Sequence, residues 1–413
     1  MTRIAFLTLG CKLNYAETST YERGFRAEGL EVVPWNEKAD IYLVNTCTVT
    51  ATSDSKSRNL IRKVHRVNPD ARIIVTGCSA ELRRRELEGI EGVSRVFGCN
   101  EKALVVAETL YGPAKAAQAG IPDMFGAYSS GERTRSFLKV QDGCDNFCKY
   151  CTVPYARGRS RNIPIAECVA DAREIASLGV KEIVLTGVNT GDFGRSTGEN
   201  FLDLLRALEE IDGIERYRIS SIEPDLLTDE TIDWIASGTK FQPHFHIPLQ
   251  TGSDELLARM GRRYDTAFFE RKIAYIRDRM ERPGSPRVFF GIDLMAGLPG
   301  ESDELFAQTR ALLERIRPAF IHIFPYSRRP GTEAAQMPLQ VDERVKRRRV
   351  GELESLCARL QQEFREANAG VHEKVLFEST CRKGMMEGYT GNYIRVERPY
   401  DASLVGTLVD VVL

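Results

Sequence analysis

"RSFLKVQDGCDNFCKYCTVPYARGRSR", residues 135–161, decides the reading of this chain. The apolar run Phe137–Val140 predicts a strand, and it delivers the backbone into CxxxCxxC, formed by Cys144, Cys148 and Cys151. Three thiols in one loop can wrap a single ion or cluster. A structural zinc would take a fourth protein ligand, and no cysteine or histidine follows at finger-like spacing. A four-iron cluster tolerates three cysteines when its last iron binds something else, which leaves that iron open to chemistry.

Upstream of this loop, residues 3–10, 41–47 and 72–78 are apolar runs rich in β-branched residues. Each is followed by a helical pattern, over 16–28, 53–67 and 80–88. Such alternation predicts βαβ units and a parallel sheet. Cys11, Cys47 and Cys78 each fall at the C-terminal end of one of these strands. Ligand crevices of open α/β sheets form along that edge, so three cysteines far apart in sequence can meet there. Singly, each would read as a core cysteine; together they favour a shared metal. Residues 113–133 are small and aperiodic, and read as a linker.

Downstream, strands near 137–140, 182–186, 216–221, 244–248, 288–293 and 319–324 alternate with helices near 165–178, 200–210, 229–236, 254–260, 266–281 and 302–315. Six βα units predict an incomplete (β/α) barrel, whose site would lie at the C-terminal ends of its strands. The final stretch, 371–413, switches to short alternating runs broken by Gly, Asn and Asp, which predicts a small all-β barrel.

Composition is consistent with this reading. The chain has 413 residues, a formal charge of −1 and ten cysteines. No apolar stretch is long enough to span a bilayer, no leader pattern opens the sequence, and a cytoplasmic protein with no membrane partner is expected. In a reducing compartment cysteines serve as core filler, nucleophiles or ligands rather than as a disulfide framework. Global charge carries no nucleic-acid signal, but residues 55–66, 156–161 and 343–349 are cationic stretches able to neutralise phosphates or to form a solvated helix face.

CxxxCxxC after a strand resembles the signature of radical S-adenosylmethionine (SAM) enzymes. "TLGCKLN" (8–14), "NTCTVT" (45–50), "IVLTGVNTGDFG" (183–194), "RISSIEP" (218–224), "FHIPLQTGSDELLARMGRRY" (245–264), "GIDLMAGLPGES" (291–302) and "FPYSRRPGT" (324–332) extend the match over nearly the whole chain. They are similar to the methylthiotransferase branch of that superfamily. The resemblance implies an α/β fold: a parallel α/β unit with the auxiliary cluster (1–112), a radical SAM partial barrel (134–370) and an RNA-binding TRAM barrel (371–413). It also implies two 4Fe-4S clusters, one on Cys11, Cys47 and Cys78 and one on the catalytic Cys144, Cys148 and Cys151. The second would pass an electron to SAM and so yield a hydrogen-abstracting radical, while the first would supply sulfur.

SAM contacts are expected from Thr186, Gly187, Glu223, Gln250 and Gly297, set against strand termination, an exposed acid and a structural amide as the bland readings. RNA contacts are expected from Lys383, Tyr389, Tyr393 and Arg395. His246 reads as a packed, hydrogen-bonded histidine. "TLGCKLNYAE" is most similar to the branch acting on threonylcarbamoyladenosine beside the tRNA anticodon. Isopentenyladenosine in tRNA and an aspartate of a ribosomal protein are the other substrates of the family, and an RNA-binding iron–sulfur sensor is the non-enzymatic alternative. The partners implied are the tRNA anticodon stem-loop, SAM and an electron donor such as flavodoxin or ferredoxin, acting on a monomer. Cys99 departs from the family pattern: it would be a fourth ligand closing the first cluster or, the favoured reading, a core residue. Cys168, Cys357 and Cys381 read as filler.

Overall fold

A computed structural model describes residues 1–116, 124–131 and 134–413. The N-terminal strands are β1 (Arg3–Thr8), β2 (Glu31–Val32), β3 (Ile41–Thr46), β4 (Arg72–Gly77) and β5 (Val93–Val96). All pair in parallel, in the order β2-β1-β3-β4-β5. Their central members are buried on both faces, which is why they read as continuous apolar runs rather than as alternation. This order reverses between β1 and β3, and a crevice opens at such a switch point. Cys11 and Cys47 follow the two strands that flank it, and Cys78 follows the next.

Two departures from the expected elements have local causes. Helix α1 (Lys12–Ala27) starts four residues early, with Cys11 as its N-cap. The pattern over 80–88 forms two short helices, Cys78–Leu82 and Arg84–Glu88, broken at Arg83.

Much of the predicted linker lies outside the described residues, at 117–123 and 132–133. Its remainder forms a helical turn, Pro113–Ala116, and β6 (Ala127–Tyr128), which pairs antiparallel with β7 (Arg135–Lys139) at the edge of the second sheet. A small hairpin, β8 (Gln141–Asp142) with β9 (Arg161–Asn162), brackets the cysteine loop. The barrel strands are β7, β10 (Glu182–Thr186), β11 (Arg216–Ile219), β12 (Phe241–His246), β13 (Phe289–Ala296) and β14 (Phe320–Pro325), neighbours in that sequence and parallel throughout. Their helices fall within a residue or two of expectation, and the main apolar core lies between sheet and helices.

One long helix, Glu343–Glu366, packs on the last strand and was legible only as a cationic stretch. The all-β unit is a four-stranded antiparallel half-barrel in the order β17-β16-β15-β18: β15 (His372–Arg382), β16 (Met385–Tyr389), β17 (Arg395–Pro399) and β18 (Leu408–Val412). Arg216 and Arg218, on β11, donate to carbonyls of Lys374, Tyr389, Thr390 and Gly391, so this unit is seated on the barrel. No described helix is long and apolar enough to cross a membrane.

Candidate active site: two cysteine centres joined by a buried ionic network

Cys144, Cys148 and Cys151 sit on a loop past the C-terminal end of β7. The chain turns into it at Gly143, whose positive φ and tight approach to the Arg159 carbonyl exclude any side chain. Donors converge on all three sulfurs. The Asn146 amide donates to Cys144 Sγ at 3.4 Å and the Val153 amide to Cys151 Sγ at 3.4 Å, while the Arg262 guanidinium reaches Cys148 Sγ at 3.1 Å. Burial pushes the Cys144 thiol up to about 11 and that of Cys151 up to about 12, so a bound cation is what would draw their protons off. Asn146 Oδ1 and Asn189 Nδ2 are buried here with no hydrogen-bond partner among the described residues. Three donor-supported thiols beside unsatisfied polar atoms fit a cluster that leaves one position to a polar ligand.

Cys11, Cys47 and Cys78 lie along the same edge of the N-terminal sheet, with Cys47 near the other two. Gly10 packs directly on Cys47, and Cys47, pushed up to about 11 by burial, also feels the charges of Cys78 and Cys11. Gly77 serves Cys78 as Gly143 serves Cys144: its φ is positive and a side chain would overlap the backbone of Thr46.

Cys78 differs from the other thiols. The Cys99 thiol donates to it, and Arg157 Nε lies 3.2 Å from its sulfur, so Cys78 is held low and Cys99 high. Cys99 is buried and packs against Cys78 and Ala156.

Arg157 belongs to the helix that follows the CxxxCxxC loop, Val153–Arg157, and so ties one centre to the other. It meets Asp142 Oδ1 at 2.8 Å, Glu17 Oε1 at 3.2 Å and Asn14 Oδ1 at 2.6 Å. Lys102 and Lys139 also bond Glu17, at 2.7 and 3.0 Å, and Lys139 reaches Asp142 at 2.7 Å. All five charged side chains are at most 2% exposed. Burial alone would raise Glu17; Lys102, Lys139 and Arg157 hold it instead well below the carboxylate range. Two carboxylates against three cations leave one positive charge, and Arg157 directs it at the Cys78 sulfur. A second tie runs from the barrel side: Arg329 of "FPYSRRPGT" bonds Asp54 at 2.5 Å and Thr48 at 2.8 Å. Sequence inspection missed Glu17, Lys102, Asp142, Arg157 and Arg262, because nothing in their spacing marks them.

The expected SAM residues divide. Glu223 pairs with Arg262, and burial pushes it up to about 7. Thr186 is buried with its hydroxyl on the Val184 carbonyl, and Gly187 lies against Gln141. Gln250 holds a left-handed conformation and bridges β13 through its backbone. Gly297 donates to Glu301 at 2.7 Å and packs under Lys346 of the long helix, which by itself accounts for a glycine there.

Tyr389 and Tyr393 stack on each other, with centroids 4.8 Å apart, and face the barrel interior beneath Arg135. Arg395 is exposed beside them, while Lys383 occupies the β15–β16 turn. His246 Nε2 donates to Asp293 Oδ1, 2.9 Å away, a hydrogen-bonded histidine at a strand end. Cys168 and Cys357 are core residues and Cys381 is exposed. Inside the barrel a cavity of about 1010 Å³ is walled by Cys11, Lys12, Arg135, His246, His322 and Tyr393, among others. Burial first, then the Arg135 charge, push the Lys12 ammonium down to about 8.

An open six-stranded barrel with a three-cysteine loop at its rim defines a radical SAM protein, and the profile of the Radical SAM superfamily matches residues 138–313. The profile described as "Uncharacterized protein family UPF0004" matches residues 3–98. A structure of the radical SAM methyltransferase TsrM from Kitasatospora setae superposes with a TM-score of 0.58, at 16% identity, over 81% of this chain and 77% of that one. The cobalamin-dependent radical enzyme OxsB gives 0.51, over 88% and 56%, at 11% identity. The threonylcarbamoyladenosine tRNA methylthiotransferase MtaB of Bacillus subtilis is 36% identical over 100% of this chain and 93% of its own length. Its Aquifex aeolicus counterpart is 36% identical over the whole of both. A tRNA-2-methylthio-N6-dimethylallyladenosine synthase of Geobacter metallireducens is 32% identical over 98% and 94%. The chain belongs to the radical SAM methylthiotransferase family, and specifically to its MtaB-like branch.

Proposed function

We propose that this enzyme adds a methylthio group to C2 of N6-threonylcarbamoyladenosine next to the anticodon of tRNA. Two 4Fe-4S clusters would be held by Cys144, Cys148 and Cys151 and by Cys11, Cys47 and Cys78, with SAM as co-substrate. When bound, these groups supply one-electron cleavage of SAM, removal of the C2 hydrogen, the sulfur and, from a second SAM, its methyl group. The division of labour follows residues 1–112, 134–370 and 371–413. The monomer takes its electron from a flavodoxin or ferredoxin in the cytoplasm, and Tyr389, Tyr393, Arg395 and Lys383 contact the anticodon arm.

The observation that carries this reading is convergence. Cys11 of the N-terminal centre lines the cavity enclosed by the barrel whose strands present the CxxxCxxC loop. A base placed there lies against Cys11, the geometry that sulfur insertion asks of the N-terminal centre. The chain's own groups then have defined tasks. Backbone amides and Arg262 stabilise thiolate charge at the loop. Arg157 and the Glu17 network fix the Cys78 sulfur and exclude water between the centres. A single-stranded anticodon loop suits such a site, since its base can be splayed out without melting a helix.

The test is nucleoside mass spectrometry of an anticodon stem-loop carrying N6-threonylcarbamoyladenosine after incubation with the reconstituted protein, SAM and reductant. A methylthio gain on that nucleoside is expected. Gain only on isopentenyladenosine, or on neither, contradicts the proposal.

A further inference from the structure

The barrel cavity is cationic, but its cations are not equivalent. Arg218 spends its donors on Glu182 Oε1 at 2.8 Å and on the carbonyls of Gly391 and Thr390, at 2.7 and 2.8 Å. Arg135 is paired with Glu378. Lys12, at the first turn of α1, donates to Ser220 Oγ at 2.8 Å and has no carboxylate within 4.0 Å among the described residues. Asp293 is the acid that favours its charge, and that carboxylate is already engaged by His246 Nε2. An ammonium carries three donors, and a half-buried one that leaves donors facing a cavity creates demand for an anion.

Resting on the substrate proposed above, one anion is at hand: the carboxylate of the threonyl group, carried on N6 of the target base. We infer that Lys12 is the specificity residue that receives this carboxylate, with Ser220 fixing the ammonium and the His246–His322 stack, centroids 4.8 Å apart, forming the wall beside it. A base whose N6 substituent is a neutral alkyl chain leaves Lys12 uncompensated, so the same contact that favours the acid disfavours the hydrocarbon. His246, Asp293 and His322 also bring ligand atoms within 4.8 Å of one another, in the manner of a metal site. The neighbouring charge of Lys12, felt by both His322 and Asp293, opposes a divalent cation there.

The experiment measures equilibrium binding of two anticodon stem-loops to the cluster-loaded protein. One carries N6-threonylcarbamoyladenosine and the other its threoninol analogue, in which a neutral alcohol replaces the carboxylate. The wild type is expected to prefer the acid by about tenfold or more, the scale of one charge-assisted hydrogen bond. Lys12→Met should bind both at the level of the neutral RNA, and Lys12→Arg should restore much of the preference. Iron and sulfide content certify each variant. Should Lys12→Met lose a cluster, Ser220→Ala carries the test, with an expected loss of about threefold in preference as the ammonium loses its hydrogen-bonded anchor.

Equal binding of the two RNAs by the wild type overturns the inference. So does a preference that Lys12→Met or Ser220→Ala retains in full, or one that vanishes on chelation of a divalent ion. Failure of the wild type to methylthiolate the acid RNA is a separate result, because it removes the substrate reading itself while the binding comparison still reports on Lys12.

Discussion

The two cysteine centres are built by opposite means. In the barrel one eight-residue stretch supplies all three thiols, and the loop around it supplies most of the donors. In the N-terminal unit three strands of one sheet supply one thiol each, and their setting is fixed by charges drawn from both units. The first centre is local to one loop; the second draws its cysteines from three strands, with Arg157 of the barrel side against Cys78.

The largest expected effects separate the centres by chemistry. Cys148→Ala should abolish both SAM cleavage and methylthiolation, measured by chromatography of cleavage products and of nucleosides. Cys47→Ala should abolish methylthiolation while leaving SAM cleavage in place. Loss of both activities in each variant would break the division of roles.

Next in size is the network itself. Removing one partner from a buried ionic cluster strands the others, so Arg157→Met should cost about 3–5 kcal/mol in urea unfolding and release the iron of the N-terminal centre first. A loss under about 1 kcal/mol, the scale of an exposed pair, would show that the network is not what joins the units.

The glycines offer a matched pair. Gly77→Ala and Gly143→Ala each force a side chain into backbone at a positive φ, at a cost of about 1–3 kcal/mol. Gly77→Ala should deplete the N-terminal centre's iron and Gly143→Ala the barrel's, read from residual iron in each purified protein.

The smallest effect is in pH. Cys144 and Cys151 are held protonated near neutrality, at about 11 and about 12; in the N-terminal centre Cys47 is held up at about 11 as well, but Cys78 is held low. Ligation must expel the protons of the barrel thiols, so iron loading should strengthen as pH rises, and more steeply in the barrel than in the N-terminal centre. Titration of iron uptake by the two single-centre variants checks the order of slopes.

The same contrast explains what could be read in advance. The barrel's strands and helices were legible because apolar periodicity marks them, and CxxxCxxC because its spacing is short. Cys11, Cys47 and Cys78 were legible through topology, since each follows a strand of a parallel sheet. Glu17, Lys102 and Arg157 were not: their roles come from tertiary approach across 140 positions of sequence separation, and a charged residue in a helix reads as a solvated face. The helix Glu343–Glu366 was passed over for that reason. Its Arg349 is buried against Glu301 at 2.8 Å, so a cation stands where the pattern would call for an apolar residue. Gly297 carries a second demand that the sequence does not show, since a side chain there would meet Lys346 of that helix.

The most direct test of two separate three-cysteine centres is anaerobic Mössbauer spectroscopy with iron analysis on three proteins: the wild type, Cys144/Cys148/Cys151→Ala and Cys11/Cys47/Cys78→Ala. Two four-iron clusters in the wild type, and one remaining in each triple variant, is the predicted result. A single cluster in the wild type, or a triple variant that keeps both, would contradict it.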